Sequence, residues 1–279
     1  MKHVIPVSLL ITLTTGAMAQ QKADLIVGYD ATSVEWYNDS PRTIKMSLLM
    51  NSRESKYFDE VAQWTDSLLS SPDGKRQHEE IIMATCVEKA PDGSILSIDL
   101  SKGPVPKSNT YVINNLPEST LTFYDRFGTE NIYYTEPIGE MAWQMSDSTT
   151  NIMGYECNLA TCDYHGRRWT VWFAPELPLP FGPWKLRGLP GLILKAESDN
   201  GTTFVVNGLQ KSNRVISPVY RKEQYDKVER KKALADLEYF ETHRESVLSA
   251  STGGRVSIKP NNDKKDYDRQ KYSLEPDYK

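Results

Sequence analysis

Between residues 157 and 169 the chain runs CNLATCDYHGRRW, two thiols, an acid, an imidazole and two guanidiniums in a short stretch. Asp163, His165, Arg167 and Arg168 are the types a small polar site needs, and Cys162 near His165 raises metal or thiol chemistry. A zinc centre wants four ligands at defined spacing. "CDYH" offers two, and outside the N-terminal leader the chain has only His78 and His243 besides His165. No metal and no cofactor are therefore expected. A hydrolase needs a nucleophile, a base and an orienting acid. No G-x-S-x-G elbow and no Cys-His framework is present. Glu136, Glu140, Glu156 and Glu176 show no spacing that marks an acid/base pair among the 37 acidic residues. The reading leans away from catalysis, and an unrecognised hydrolase resting on His165 and Arg167 is kept only as a lesser alternative. His165-Gly166 fits the turn of a hairpin whose arginines leave it toward solvent or acidic partners.

A second concentration of chemistry follows in FGPWKLRGLPGLIL, residues 181–194. Trp184 could stack on a ligand, and Lys185 or Arg187 could meet an anion. With Phe181, His165, Arg167, Trp169 and Trp172 these form the candidate ligand-binding set. Trp169 and Trp172 cannot both face inward on one straight strand, so one of them belongs to a surface or cavity. The structural alternative is a girdle of aromatics covering a sheet edge; six tryptophans and fifteen tyrosines suit either.

These groups must be carried by strands. Leu25, Val27 and Tyr29, then Ile44, Met46, Leu48 and Met50, recur at every second position and predict two antiparallel strands. Tyr57, Val61, Trp64 and Leu68 recur at helical spacing, and a second helix is expected from about Lys75 to Lys89. Short strands return after Ile95. They are expected at 111–114, 121–124, 132–135, 142–145, 153–159, 169–173, 192–197 and 204–209, the last two joined by a tight turn at Asp199-Asn200-Gly201. The fold class is mainly β (α+β): a highly twisted antiparallel sheet or half barrel of about ten strands, with two inserted helices and a C-terminal helix. Cys157 and Cys162 would face opposite ways on a straight strand, and bridging them would need a bulge near Leu159.

Pro175, Pro178, Pro180 and Pro183 should end the WTVWFA strand at Ala174, because proline cannot donate to a ladder. Gly182 permits a turn, and Gly188 and Gly191 permit positive φ or close backbone approach. Gly188, Leu189, Pro190, Gly191, Leu192 and Ile193 then read as the structural start of a strand. Leu189, Leu192 and Leu194 would point inward and Trp184 would lie over the seam. The proline-rich stretch before it stands equally well as a ligand-lining loop.

Residues 188–193 spell GLPGLI, and GYEC at 154, HGRRW at 165, WFAPELP at 172 and GPWK at 182 surround it. The segment resembles the signature of the GLPGLI family, exported proteins of Bacteroidetes-type bacteria. The resemblance weakens upstream and implies an exported protein without carrying an activity.

Residues 1–19 read independently as a secretory signal peptide, with Lys2 and His3 before an apolar run and Ala17-Met18-Ala19 at the cleavage site. The expected location is the periplasm or cell envelope, with no membrane span after cleavage. A net charge of −4 disfavours nucleic acid as a partner. The expected organisation is a β-rich domain over 20–215, a charged helix over 216–250 and a disordered tail over 251–279. By analogy of fold alone, strands followed by two helices and a meander resemble lipoprotein-carrier half barrels. The function expected is binding or carriage of a hydrophobic or peptide ligand, beside an outer-membrane transporter or other envelope protein. The alternative is an interaction module that docks a partner through its C-terminal helix.

Overall fold

Alternation along β1 (Leu25–Val34) sets the two faces of the sheet: Leu25, Val27 and Tyr29 turn inward, and the strand pairs along its length with β2 (Pro41–Met50). The computed structural model describes residues 21–128, 130–251 and 267–278, so the expected export signal lies outside the described residues. After β3 (Glu54–Phe58), Asp59 takes an extended conformation and accepts hydrogen bonds from the Val61 and Ala62 N–H groups, starting α1 (Glu60–Leu69). An N-cap cannot itself be helical, so Tyr57 belongs to the strand despite its helical spacing from Val61. Ser71 caps α2 (Pro72–Cys86), which ends sooner than expected because β4 (Val87–Lys89) pairs with β5 (Ile95–Ile98) in a separate hairpin.

The main sheet is completed by β6 (Tyr111–Asn115), β7 (Thr120–Phe127), β8 (Glu130–Pro137), β9 (Gln144–Ile152), β10 (Tyr155–Tyr164), β11 (Arg167–Ala174), β12 (Leu192–Ser198), β13 (Thr203–Lys211) and β14 (Asp226–Lys227). Its order is β14-β8-β7-β6-β3-β2-β1-β13-β12-β11-β10-β9. It has twelve strands among the described residues rather than about ten, and β14 runs parallel to β8, so the sheet is mixed. It is not closed into a barrel.

The connection from β8 to β9 shows how far the sheet curls. These strands stand second and last in the order. Ten strand spacings laid flat would separate them by about 48 Å, whereas the chain from Pro137 to Gln144 reaches at most about 25 Å. Only a strongly curled sheet satisfies both. Its concave face carries one core drawn from both ends, including Val27, Phe123, Tyr134, Trp169, Phe173 and Phe204. The convex face packs Leu49, Phe58, Tyr111 and Tyr124 under Ala62 of α1 and the returning Val219 and Tyr225.

A register irregularity between Asn158 and Ala160 shifts the alternation of β10, so Cys157 and Cys162 are both buried. They remain free thiols, as does Cys86. Five residues of strand span about 16 Å, far beyond disulfide reach.

Two expectations for the C-terminal region need correction. The helix is α3 (Arg230–Ser251), starting later than expected, and residues 220–229 instead form a 3-10 turn and β14. Its inward stripe is Ala233, Leu234, Leu237 and Phe240, packed into the concave core, while Ala235 and Tyr239 face outward. Residues 267–278, expected as part of a disordered tail, are an ordered strap with the short helix α4 (Arg269–Tyr272), and Glu275, Pro276 and Tyr278 are buried. The strap has a single aliphatic residue, Leu274, and is otherwise held by ion pairs and rings, which hydropathy does not register. Among the described residues no helix is long and apolar enough to cross a membrane.

Candidate functional site

The loop from Leu177 to Gly191 folds back on the end of β11 and start of β12. Leu192 N–H donates to Leu177 O, Ile193 N–H to Phe181 O and Gly188 N–H to Pro180 O. At Gly191 a Cβ would stand 2.3 Å from Ala174 O, so only glycine lets the chain lie this close. This fold-back buries every residue from Phe181 to Arg187. Lys185 and Arg187 are therefore buried rather than carried on an open loop. Arg187 donates to Lys185 O, Gly139 O and Tyr164 OH, and Trp143 Nε1 donates to Arg187 O.

Lys185 is the centre of the site. Its side chain is 0 % exposed. Nζ lies 2.9 Å from Tyr134 OH, 2.8 Å from Glu136 Oε2 and 2.7 Å from Glu275 Oε1, which satisfies its three donors. The ammonium also sits over the Phe123, Tyr134 and Trp184 rings. Arg230, at the start of α3, reaches Glu136, Glu275 and Asp277. Burial alone would raise the Glu275 carboxyl, but Lys185, His165 and Arg230 more than offset it and hold the group below its ordinary value.

His165 does occupy the β10–β11 turn, with φ of 52°. Its Nδ1 is 3.2 Å from Asp277 Oδ2, while Nε2 stands 3.6 Å from Glu136 Oε1 and 3.8 Å from Glu275 Oε2 without a hydrogen bond. Burial chiefly, with the Lys185 and Arg230 charges, holds the imidazole below its usual range and so neutral at pH 7. Glu136, His165 and Glu275 have donor atoms within 4.8 Å of one another, the grouping of a metal site. The Lys185 ammonium already lies against both carboxylates, so the cluster is neutralised by side-chain cations.

Arg167 is buried rather than directed to solvent. Its guanidinium donates to the Ser273 and Arg269 carbonyls and pairs with Asp199. Asn200 also donates to Ser273 O, and Pro276 lies against Gly166, where an added Cβ would be 3.0 Å from its Cγ. At its other end the strap meets the β1–β2 hairpin: Lys271 and Tyr272 bind Asp39, and Tyr267 packs edge-on against Trp36. The strap thus crosses the mouth of the curled sheet.

Between strap, α3 and the concave face lies a cleft of about 360 Å³. Trp36, Tyr57, Phe123, Trp184, Phe204 and Tyr272 are among its walls, and Trp36 Nε1 is buried without a hydrogen-bond partner. Asp125 lines it too, and burial foremost pushes its carboxyl up to about 7, against hydrogen bonds from Arg126 N–H and the Thr110 hydroxyl. A second notch of about 280 Å³ lies beside Glu136, Glu140, Tyr164, His165 and Arg187.

Of the residues singled out from sequence, His165, Arg167, Trp184, Lys185 and Arg187 converge. Trp169 is core, with ring centroids 5.5 Å from Trp184 and 6.0 Å from Phe204. Phe181 is also core, and Trp172 is half-buried and lines neither cleft. Leu189, Leu192, Ile193 and Leu194 are buried. Sequence reading missed Tyr134, Glu136, Arg230, Glu275 and Asp277. The only local signal for any of them is the Glu-Pro-Asp-Tyr string, whose proline and aromatic stand out in an otherwise charged tail.

No family model matches the chain, and no curated protein matches it. A solved structure of PNGF-II in space group C2 is similar, with a TM-score of 0.50 at 12% identity, covering 78% of this chain and 33% of that one. PNGF-II in space group P21 gives a TM-score of 0.47 at 12% identity, covering 80% and 34%. The chain spans about a third of the length of these neighbours. At this identity the first likeness bears on fold alone.

Proposed function

We propose that this protein is an exported, non-enzymatic binding protein of the cell envelope, of GLPGLI type, that shelters a hydrophobic or peptide ligand in the hollow of its curled sheet. The observation that carries this reading is the cleft under the strap. Its volume of about 360 Å³ falls within the usual range for ligand pockets, and its walls are mainly aromatic and apolar. The Trp36 N–H offers one donor lacking an acceptor, which a carbonyl or carboxylate of a bound molecule would satisfy. The size suits a short chain or one or two peptide side chains. Carriage rather than catalysis fits the adjoining cradle, where Lys185 and Arg230 neutralise the carboxylates. The half-barrel description belongs to this same reading, with α3 and the strap as its cover.

The test is intrinsic tryptophan emission titrated with decanoate and with short peptides. A saturable shift for one of them is expected, and no response to any contradicts the proposal.

A docking role has separate support on a different surface. The apolar stripe of α3 is already in the core, whereas Ile95, Leu96, Ile98 and Leu100 of the β4–β5 hairpin and the turn after it are all exposed. Such a row suits contact with another envelope protein.

A further inference from the structure

The geometry points to the cradle around Lys185 as a recognition site for an acidic, aromatic peptide of the Glu-Pro-Asp-Tyr kind, which the protein's own strap occupies in cis and a partner's segment would occupy in trans. This inference rests on the binding reading above and names a ligand class for it.

The charge balance supports it first. The fold-back loop and α3 bring Lys185 and Arg230 together with one body carboxylate, Glu136 of β8, and the remaining counter-charge comes from Glu275 and Asp277 of the strap. Without the strap, a buried ammonium and a guanidinium would face each other over a single carboxylate. The body is thus built to receive anionic side chains.

The strap's contacts are also those of a bound peptide. Residues 273–278 form no ladder with the sheet; they are read residue by residue. Arg167 and Asn200 take the Ser273 carbonyl, Lys185 and Arg230 take Glu275, and His165 and Arg230 take Asp277. Pro276 fits over Gly166, and Tyr278 OH binds Glu238. Pro276 and the Tyr278 ring add shape to the charge pattern. Side-chain readout of this kind specifies sequence, whereas strand addition is largely indifferent to it.

Finally, the site and the hollow share a boundary, because Ser273, Leu274, Glu275 and Tyr278 also line the cleft. A segment that displaces the strap would uncover the hollow, coupling peptide capture to ligand access.

The test uses the full chain and a labelled synthetic peptide of residues 267–278. In the variant Glu275→Gln/Asp277→Asn the strap loses its charged anchors, and the peptide should bind at least tenfold more tightly than to the unaltered protein. A peptide carrying the same two changes should not bind, and adding Lys185→Met to the variant should remove binding of the unaltered peptide. Circular dichroism checks that each variant is folded, and Asp277→Asn alone, at a partly exposed position, gives a milder opening with the same expected order. Equal affinity of both peptides, or no gain in either strap variant, overturns the inference. If decanoate still enters the hollow when the acidic peptide fails, only the peptide assignment falls; if both fail, the binding reading falls with it.

Discussion

Lys185 Nζ and Glu275 Oε1 lie 2.7 Å apart, joining a loop buried by the Gly-Pro-rich segment to the last residues of the chain. Both side chains are buried, and Glu136 on one side and Arg230 on the other extend the pair into a network. The loop, the edge of the curled sheet, α3 and the strap all meet at this pair.

Lys185→Met should therefore destabilise the fold by about 3 kcal/mol, the lower end of the cost of breaking a buried ion pair, because Arg230 still pairs with Glu275 and Glu136. Pairing it with Glu275→Gln should restore part of the loss. Chemical denaturation of the two single variants and the double variant would show that coupling, and strictly additive losses would argue against it.

Gly191→Ala should be among the most damaging single-methyl additions, costing about 3 kcal/mol or more, because the Cβ meets backbone at Ala174. Gly154→Ala provides the contrast. Its φ is +90° but nothing lies within 4 Å, so only backbone strain of about 1 kcal/mol applies. Thermal melts of the pair should rank them in that order.

Acid should loosen the strap in two stages. His165 is held below its free value of about 6.5, so the folded state is fully favoured above that pH and loses stability as pH falls through it. Glu275 and Asp277 are held low as well, which adds a steeper loss below about pH 4. Limited proteolysis near residue 267 across pH would follow both stages. His165→Asn should erase the first and keep the second.

Asp125 behaves in the opposite sense. Its folded value of about 7 lies above the unfolded one, so its contribution is present at low pH and is lost as pH rises toward 7. Asp125→Asn should raise the melting temperature at pH 8 by on the order of 5 °C and leave it unchanged near pH 4. A uniform shift at both pH values would contradict the buried-acid account.

Much of the sheet was legible from alternation. Leu25, Val27 and Tyr29 declare their face, whereas the irregularity at Leu159, which the sequence raised only as a condition for a Cys157–Cys162 bridge, occurs with both thiols free. The proline and glycine content of residues 175–191 foretold a fold-back against a strand. What escaped was anything set by partners distant in sequence. Tyr57 shares helical spacing with Val61, yet its pairing with Leu48 and Val112 decides that it is a strand residue. Glu136 and Arg230 look like ordinary surface charges until the curl and the strap bring them together. The strap itself carries no hydrophobic periodicity, since Leu274 is its one aliphatic residue and a glutamate, an arginine fork and three tyrosines make its other contacts.

The central claim is that the hollow beneath the strap receives a ligand, and indole N–H resonances followed by NMR during a decanoate titration test it most directly. The signals of Trp36 and Trp184, which line the hollow, should move saturably while that of Trp172 stays in place. If no indole moves, or if Trp172 moves as far as the other two, the hollow is not the binding site.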